Sequence, residues 1–243
     1  MTQLHLIGIG TGNPDHLTRQ AIKVLNAAQL VMIPRKGGKA DLAELRRAIC
    51  AEVITNTSTR IVEFDLPVRD ISNPDYEVGV NLWHDAIAAV WQATMNANPS
   101  NNVALLVWGD PSLYDSTLRI AARLTGVSVS VVPGITSVQA LTAAHAMPLN
   151  EIGAAVTITT GRQLLDGWPA GADTLVIMLD GNCAFQSLDP KGISIWWGAY
   201  VGMPGQIIVA GALAEVGAQI VEVRAEARAA HGWIMDIYIL RRG

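Results

Sequence analysis

An aspartate held between a glycine and a proline, with a serine and a tyrosine close behind, lies in VWGDPSLYDST, residues 107–117. Asp110 can accept hydrogen bonds from a ligand amine or ribose. Gly109 permits close approach of another molecule to the backbone, and Pro111 stiffens the turn. The plain alternative is an ordinary strand-to-helix turn with Asp110 as a turn residue. A second such place is Gly8, Gly10 and Gly12, which spell G-x-G-x-G. The dinucleotide fingerprint needs a glycine where Asn13 stands, and the next strand ends at Pro34 and Arg35 without an acidic residue for a ribose. Asn13 and Pro14 look like a helix start, and Asp15 in that first turn weakly opposes phosphate. This loop either brings backbone close to a ligand other than a pyrophosphate or is a structural turn. A third place is VVPGITSVQALTAAHAMP, residues 131–148, where Gly134 turns and Thr136 and Ser137 open a helix. Hydroxyls and free amide donors there suit a carboxylate, although capping alone explains Thr136.

Each of these loops needs a strand before it and a helix after it. Apolar runs at Leu4–Ile9, Leu30–Ile33, Arg60–Phe64, Val103–Val107 and Val127–Val132 supply five strands. Helical spacing links them: Leu17 to Ala28, a helix through Val53 opened by Asp41 with Glu44 as a capping box, about Tyr76 to Asn96, and Thr117 to Leu124. Strands alternating with helices imply parallel pairing and a sheet covered on both faces. Open α/β sheets bind ligands beyond the carboxyl ends of their strands, where all three loops fall.

The second half is patterned differently. Strands are expected at Val156–Thr160, Thr174–Leu179, Ile193–Tyr200, Gln206–Ala210 and Trp233–Leu240, joined by short connections rich in glycine and proline. The expected fold class is therefore α/β in two domains. Residues 1–147 form an α/β domain with a mostly parallel sheet, and residues 151–243 a mixed-sheet α+β domain, with the change near Pro148 and Asn150.

Half of the 243 residues are hydrophobic and 16% are charged, enough for sizeable cores and against disorder. The net charge of −4 and the lack of a basic run set nucleic acid aside as primary partner. Apolar stretches have strand length, so no membrane span is expected, and MTQLHLIGIG lacks the pattern of a secretion signal. Cys50 in a helix and Cys183 in a polar turn point to reduced thiols in the cytoplasm, with no disulfide and no metal site.

Three glycine-bearing strand ends in one domain are more specific together than singly. LIGIGTGNPDHLT, WGDPSLYDST and VPGITSVQALTA resemble, in order and spacing, the motifs of the tetrapyrrole (corrin/porphyrin) methylase family. The resemblance spans nearly the whole chain. It implies S-adenosylmethionine bound between two α/β domains, a homodimer and a tetrapyrrole substrate. Further stretches, PVRD, NLWHD, MPLNEIG, TITTGR, VIMLDG, WWGAYVG and GWIMDIYILRR, resemble the member that methylates C1 of precorrin-5 in aerobic cobalamin synthesis with loss of acetate. By motif position the resemblance assigns Trp108, Gly109, Asp110 and Leu113 to the amino-acid and ribose parts of the cofactor. It assigns Thr136 and Ser137 to the helix opening and Met178 to the adenosine, with Gly211 and Ala212 in a late contact segment. Thr11 stands where the family often has proline. A core methionine is the plain alternative for Met178.

The sulfonium methyl is already activated, so its transfer needs alignment with a carbon nucleophile more than acid–base help. Loss of the acetyl group asks for a base to activate water and a donor for the developing oxyanion. Candidates are Tyr114 beside the GDP loop and His84 and Asp85 in NLWHD, followed by Asp115, Tyr76, Asp70 and His145. A tyrosine side chain, with an ordinary pKa near 10, donates better than it accepts at neutral pH. Tyr114 is therefore cast as oxyanion donor and His84 as base; the plain alternative for His84 is a helical histidine packed beside Trp83. The substrate's carboxylates call for arginines, with Arg162 ranked first, then Arg119, and Arg69, Arg123 and Arg224 behind them. Trp196 and Trp197 could line a flat ring or serve packing. Competing readings are another precorrin or diphthine-type methylase of the same fold, a non-catalytic nucleotide-binding module, and a nicotinamide oxidoreductase, which Asn13 disfavours.

Overall fold

The computed structural model describes residues 1–36 and 40–243, with only the backbone of residues 40 and 41. The chain divides into two compact units, Met1–Thr136 and Ser137–Gly243. The first is built on β1 (Thr2–Gly8), β2 (Leu30–Arg35), β3 (Arg60–Asp65), β4 (Asn102–Val107) and β5 (Val127–Val132). All pairs are parallel, in the order β3-β2-β4-β1-β5. Between the strands run α1 (Arg19–Ala27), α2 (Ala40–Val53), α3 (Tyr76–Ala97) and α4 (Thr117–Ala121).

Alternation along the strands separates two cores. Leu4, Leu6, Leu30, Met32, Val103 and Leu105 face α3 and α4, where Ile87, Trp91, Met95 and Ile120 meet them. Ile7, Val31, Ile33, Ala104, Leu106 and Val132 face α1 and α2, against Ala21, Leu25, Ile49 and Cys50. Each fully buried aliphatic side chain stabilises the fold by about 1.5–3 kcal/mol. Local chemistry starts the helices. Thr18 accepts from Ala21 N–H at 3.0 Å, and Asp75 from Val78 N–H at 3.0 Å. The helix start expected at Asn13 and Pro14 is a short 3-10 turn, Pro14–His16, with the Asn13 side chain capping Asp15 N–H at 2.9 Å. The Asp41 capping box falls on a side chain outside the described residues. α4 ends at Ala121, earlier than expected.

From β1 the chain passes through α1 to β2 on one side, skipping β4. From β4 it passes through α4 to β5 on the other side, skipping β1. The winding direction thus reverses between the neighbours β1 and β4. In open α/β sheets that reversal opens a crevice beyond the carboxyl ends of the two strands.

The second unit holds α5 (Ser137–Ala144), β6 (Val156–Thr160), α6 (Gly161–Leu164), β7 (Thr174–Met178), β8 (Ile193–Ala199), β9 (Ile207–Ala212), α7 (Leu213–His231) and β10 (Asp236–Arg242). Its sheet, in the order β6-β7-β10-β8-β9, is mixed, with only β6 and β7 parallel. The break expected near Pro148 lies instead between Thr136 and Ser137. The reason is packing: α5 lies on β8 and β10, the His145 ring meets the Trp197 carbonyl at 3.0 Å, and Arg241 donates to the carbonyls of Pro148 and Leu149 at 3.2 and 3.1 Å.

The connection expected to be short between β9 and β10 is the 19-residue α7. Its buried positions are Leu213, Ile220, Arg224 and Ala227, and the arginine interrupts an otherwise apolar stripe. Arg224 Nε donates to Asp236 at 2.7 Å with both side chains buried, and Asp236 also accepts from Trp197 Nε1 at 3.1 Å. Trp197 is fully buried, and Trp196 lies under the Arg241 guanidinium at 5.1 Å, so both pack against protein. Cys50 and Cys183 are free and buried, and burial pushes each thiol up to about 11. Among the described residues no helix is long and apolar enough to cross a membrane.

Candidate active site

Three loops leave the carboxyl ends of β4, β1 and β5, which are adjacent in the sheet, and they lock together through backbone. Gly109 N–H donates to the Gly10 carbonyl at 2.7 Å, and Gly10 N–H returns a bond to the Gly109 carbonyl at 3.3 Å. A Cβ added to Gly8 would sit 2.6 Å from Gly134 N and 2.7 Å from Gly109 O. One added to Gly134 would sit 2.1 Å from Gly109 O and 2.8 Å from Gly8 C and Cα. No side chain fits at either position. Gly109 differs: its φ is 61°, and among the described residues an added Cβ would meet only Thr136 Cα, at 3.8 Å. Its outer face is open to approach.

Asp110 fastens the third loop to the second. One oxygen accepts from Gly134 N–H at 2.9 Å; the other accepts from Ser112 N–H at 2.8 Å and Ser112 Oγ–H at 2.5 Å. Burial on its own would raise this carboxyl, but the bonds from Ser112 and Gly134 hold it below the usual carboxylate range. Its principal work is to fix the loops. Leu113 N–H closes the turn on the Asp110 carbonyl at 3.2 Å. Tyr114 follows with a left-handed φ of 49° and an exposed side chain. Thr11 is buried, its Oγ1 3.1 Å from His16 Nδ1. Thr136 is half-buried at the mouth of α5.

Of the other catalytic candidates, His84 and Asp85 lie on α3, outside the three loops. His84 is buried against Trp83, ring centroids 5.8 Å apart, and neither ring nitrogen has a hydrogen-bond partner among the described residues. Burial, then Arg123 and Arg119, lower its pKa, so the ring is neutral at pH 7. A base for water needs a nitrogen that reaches water, and both of these are closed off, so the expectation of His84 as base is corrected to a packing role. Asp85 is tied to Arg123 Nε at 2.6 Å. Asp115 binds Thr117 N–H at 2.6 Å, and Asp70 binds Ser72 N–H at 2.8 Å. Arg119 is exposed and donates to the Asp115 carbonyl at 3.0 Å, while Arg69 lies over the Tyr76 ring at 5.1 Å.

One residue of this region escaped the sequence reading. Arg46 of α2 is buried, with its guanidinium 4.8 Å from the centre of the Trp108 ring. It donates to the carbonyls of Leu106 at 3.4 Å and Leu42 at 3.2 Å. Burial lowers its pKa to about 10, partly offset by Asp115 and Cys50, and it remains charged at neutral pH. The signal was present: Arg46 lies three residues after Ala43 and three before Ile49, on the buried stripe of its helix.

In the second unit, β6 and β7 are parallel neighbours, with Thr160 paired to Met178. Arg162, exposed in α6, and Met178 therefore share one end of the sheet. Asp180 organises that end. It packs on Gly161, accepts from Ala184 N–H at 2.6 Å and from Tyr238 Oη–H at 2.5 Å, and its carbonyl accepts from Arg224 at 2.9 Å. Gly211 and Ala212 do not join Met178. Strand β9 is separated from β7 by β10 and β8, and Gly211 is level with Leu175, at the opposite end. Arg224, committed to Asp236, leaves the set of substrate arginines.

Residues 3–217 match the family of Tetrapyrrole (Corrin/Porphyrin) Methylases, and the chain belongs to it. That family uses S-adenosylmethionine. The chain is 47% identical, over all of its own length and 96% of the relative's, to precorrin-6A synthase [deacetylating] of Sinorhizobium sp. Among solved structures, a cobalamin synthesis related protein (CobF) from Corynebacterium diphtheriae is 40% identical, with a TM-score of 0.85 over 100% of this chain and 99% of that one. A uroporphyrin-III C-methyl transferase from Thermus thermophilus, complexed with S-adenosyl homocysteine, shares the fold, with a TM-score of 0.64 at 22% identity, covering 98% of this chain and 92% of that one.

Proposed function

We propose that this chain transfers the methyl group of S-adenosylmethionine to C1 of precorrin-5 and releases the ring-derived acetyl group as acetate, giving precorrin-6A. The full-length identity to the Sinorhizobium synthase carries this reading. The loop cluster supports the cofactor assignment. The open face of Gly109 accepts a close backbone contact, the Trp108 indole offers a flat wall, and the hydroxyl of Thr136 suits the polar groups of an amino acid. Ser137 and Met178, both of the second unit, are cofactor contacts on motif position alone.

When bound, S-adenosylmethionine supplies a methyl group activated on sulfonium. The loops contribute alignment, and fixing two reactants in register is worth roughly 7–11 kcal/mol in such reactions. Acetate leaves when water adds to the acetyl carbonyl and the bond to C1 breaks. The water's proton passes to a base, and the electron pair stays on C1, which takes the methyl group. In this reading the Tyr114 hydroxyl, exposed on a residue with left-handed backbone, donates to the oxyanion that forms at the carbonyl. Arg162 and Arg119, both exposed, are the proposed grips for peripheral carboxylates. Two buried free thiols support a reducing compartment, the cytoplasm, and the family habit makes a homodimer the expected assembly.

Calorimetry with S-adenosylhomocysteine and with NAD tests the cofactor: binding of the first and none of the second is expected. Turnover of precorrin-5, with acetate counted against methylated product, tests the reaction. One acetate per methyl transferred supports it, and methylated product with the acetyl group retained overturns it.

A further inference from the structure

The guanidinium of Arg46 is a buried cation whose counterion is missing among the described residues. It has two carbonyl acceptors, Leu106 and Leu42, and among the described residues no carboxylate within ion-pair distance, Asp115 acting on it only from further off. Carbonyls satisfy its donors without cancelling its charge, and a buried charge is ordinarily paired. Its place is specific. The Leu106 carbonyl lies past the point where β2 stops pairing with β4, since that pairing ends at Met32 and Leu105. Arg46 enters this gap at the carboxyl end of β4. It stacks on Trp108, whose own buried Nε1 has no acceptor among the described residues. The next residue is Gly109, with its open face. The guanidinium of Arg46 therefore lies directly behind the loop cluster.

We propose that Arg46 is an anion-binding residue of the active site, taking a carboxylate of a bound ligand as its counterion. The inference rests on the methylase reading, which supplies two carboxylate sources: the amino-acid end of S-adenosylmethionine and the acetate and propionate arms of the tetrapyrrole. Stacking on Trp108 holds the guanidinium plane; Nε and Nη1 donate to the Leu106 and Leu42 carbonyls, so the carboxylate is met through Nη2, on a planar group that an ammonium cannot fully replace.

The test uses the intact protein and its Arg46→Lys and Arg46→Gln variants, each checked for folding by circular dichroism. Calorimetry with S-adenosylhomocysteine is set beside calorimetry with methylthioadenosine, which lacks the carboxylate, and beside KM for precorrin-5. If the cofactor is the source, Arg46→Gln weakens S-adenosylhomocysteine by roughly tenfold to a hundredfold and leaves methylthioadenosine unchanged. Arg46→Lys recovers part of the loss. If the tetrapyrrole is the source, KM rises by a similar factor while both nucleoside affinities hold. Folded variants that match the wild type in all three measurements, or that weaken both nucleosides equally, overturn the proposal. Failure of the unsubstituted protein to bind S-adenosylhomocysteine would instead count against the methylase reading, so the two are separable.

Discussion

Replacing Gly134 with alanine is the sharpest test of the interlocked loops. The new Cβ would lie 2.1 Å from the Gly109 carbonyl oxygen, and Gly8 backbone atoms stand 2.8 Å away. Every one of these neighbours is main chain, so no rotamer change relieves the clash. Ordinary carbon–oxygen contact needs at least about 1 Å more, which the loops after β1, β4 and β5 must supply by moving apart. Overpacking of this kind typically costs 1–3 kcal/mol, which in a chain of this size lowers Tm by roughly 2–12 °C. The same 1 Å displacement of a positioning loop is worth on the order of a hundredfold in rate. Gly181→Ala is the control, because its added Cβ has nothing within 4 Å among the described residues. Thermal unfolding and calorimetry with S-adenosylhomocysteine read both variants. A Gly134→Ala protein that melts and binds like the Gly181→Ala control would refute the reasoning.

Asp110→Asn places an amide where one carboxylate oxygen accepted an N–H. Urea unfolding is expected to show a loss of roughly 1–3 kcal/mol, together with weaker S-adenosylhomocysteine binding. Arg224→Ala leaves Asp236 buried without its partner and is expected to cost about 3–5 kcal/mol in the same assay. His84 has a folded pKa below its ordinary 6.5, so the unfolded chain takes up the proton first. Stability is therefore full above 6.5 and falls as the pH drops below it, by up to about 1.4 kcal/mol per pH unit. His84→Leu is expected to flatten that acid limb, and an unchanged limb in stability measured from pH 7 to 5 would refute the assignment.

Much of the first unit was legible because its chemistry is local. Leu4–Ile9, Leu30–Ile33 and Val103–Val107 announce buried strands by composition, and Gly8, Gly109 and Gly134 mark their ends. The common place of the three loops at strand ends could be read; that Gly8, Gly109 and Gly134 touch through backbone depends on the strand order, which only the structure gives. What stayed hidden depends on pairings distant in sequence. α7 was passed over because Arg224 breaks its apolar stripe, and the partner that makes this arginine tolerable, Asp236, lies on the following strand. Gly211 and Ala212 were grouped with Met178 by motif order, but the antiparallel turns of the second sheet carry them to its far end. Arg46 was overlooked because a charged residue in a helix is ordinarily solvated. His84 looked reactive by type, yet packing on Trp83 closes it off.

The reciprocal bonds between Gly10 and Gly109, with Asp110 holding Gly134, give the three strand ends a shared fate. None can peel away without breaking its neighbours' bonds, so their amide protons should exchange with solvent as one cooperative set, on the timescale of deep unfolding rather than of loop motion. A ligand arriving there meets a surface already set, and its ordering entropy was spent when the chain folded.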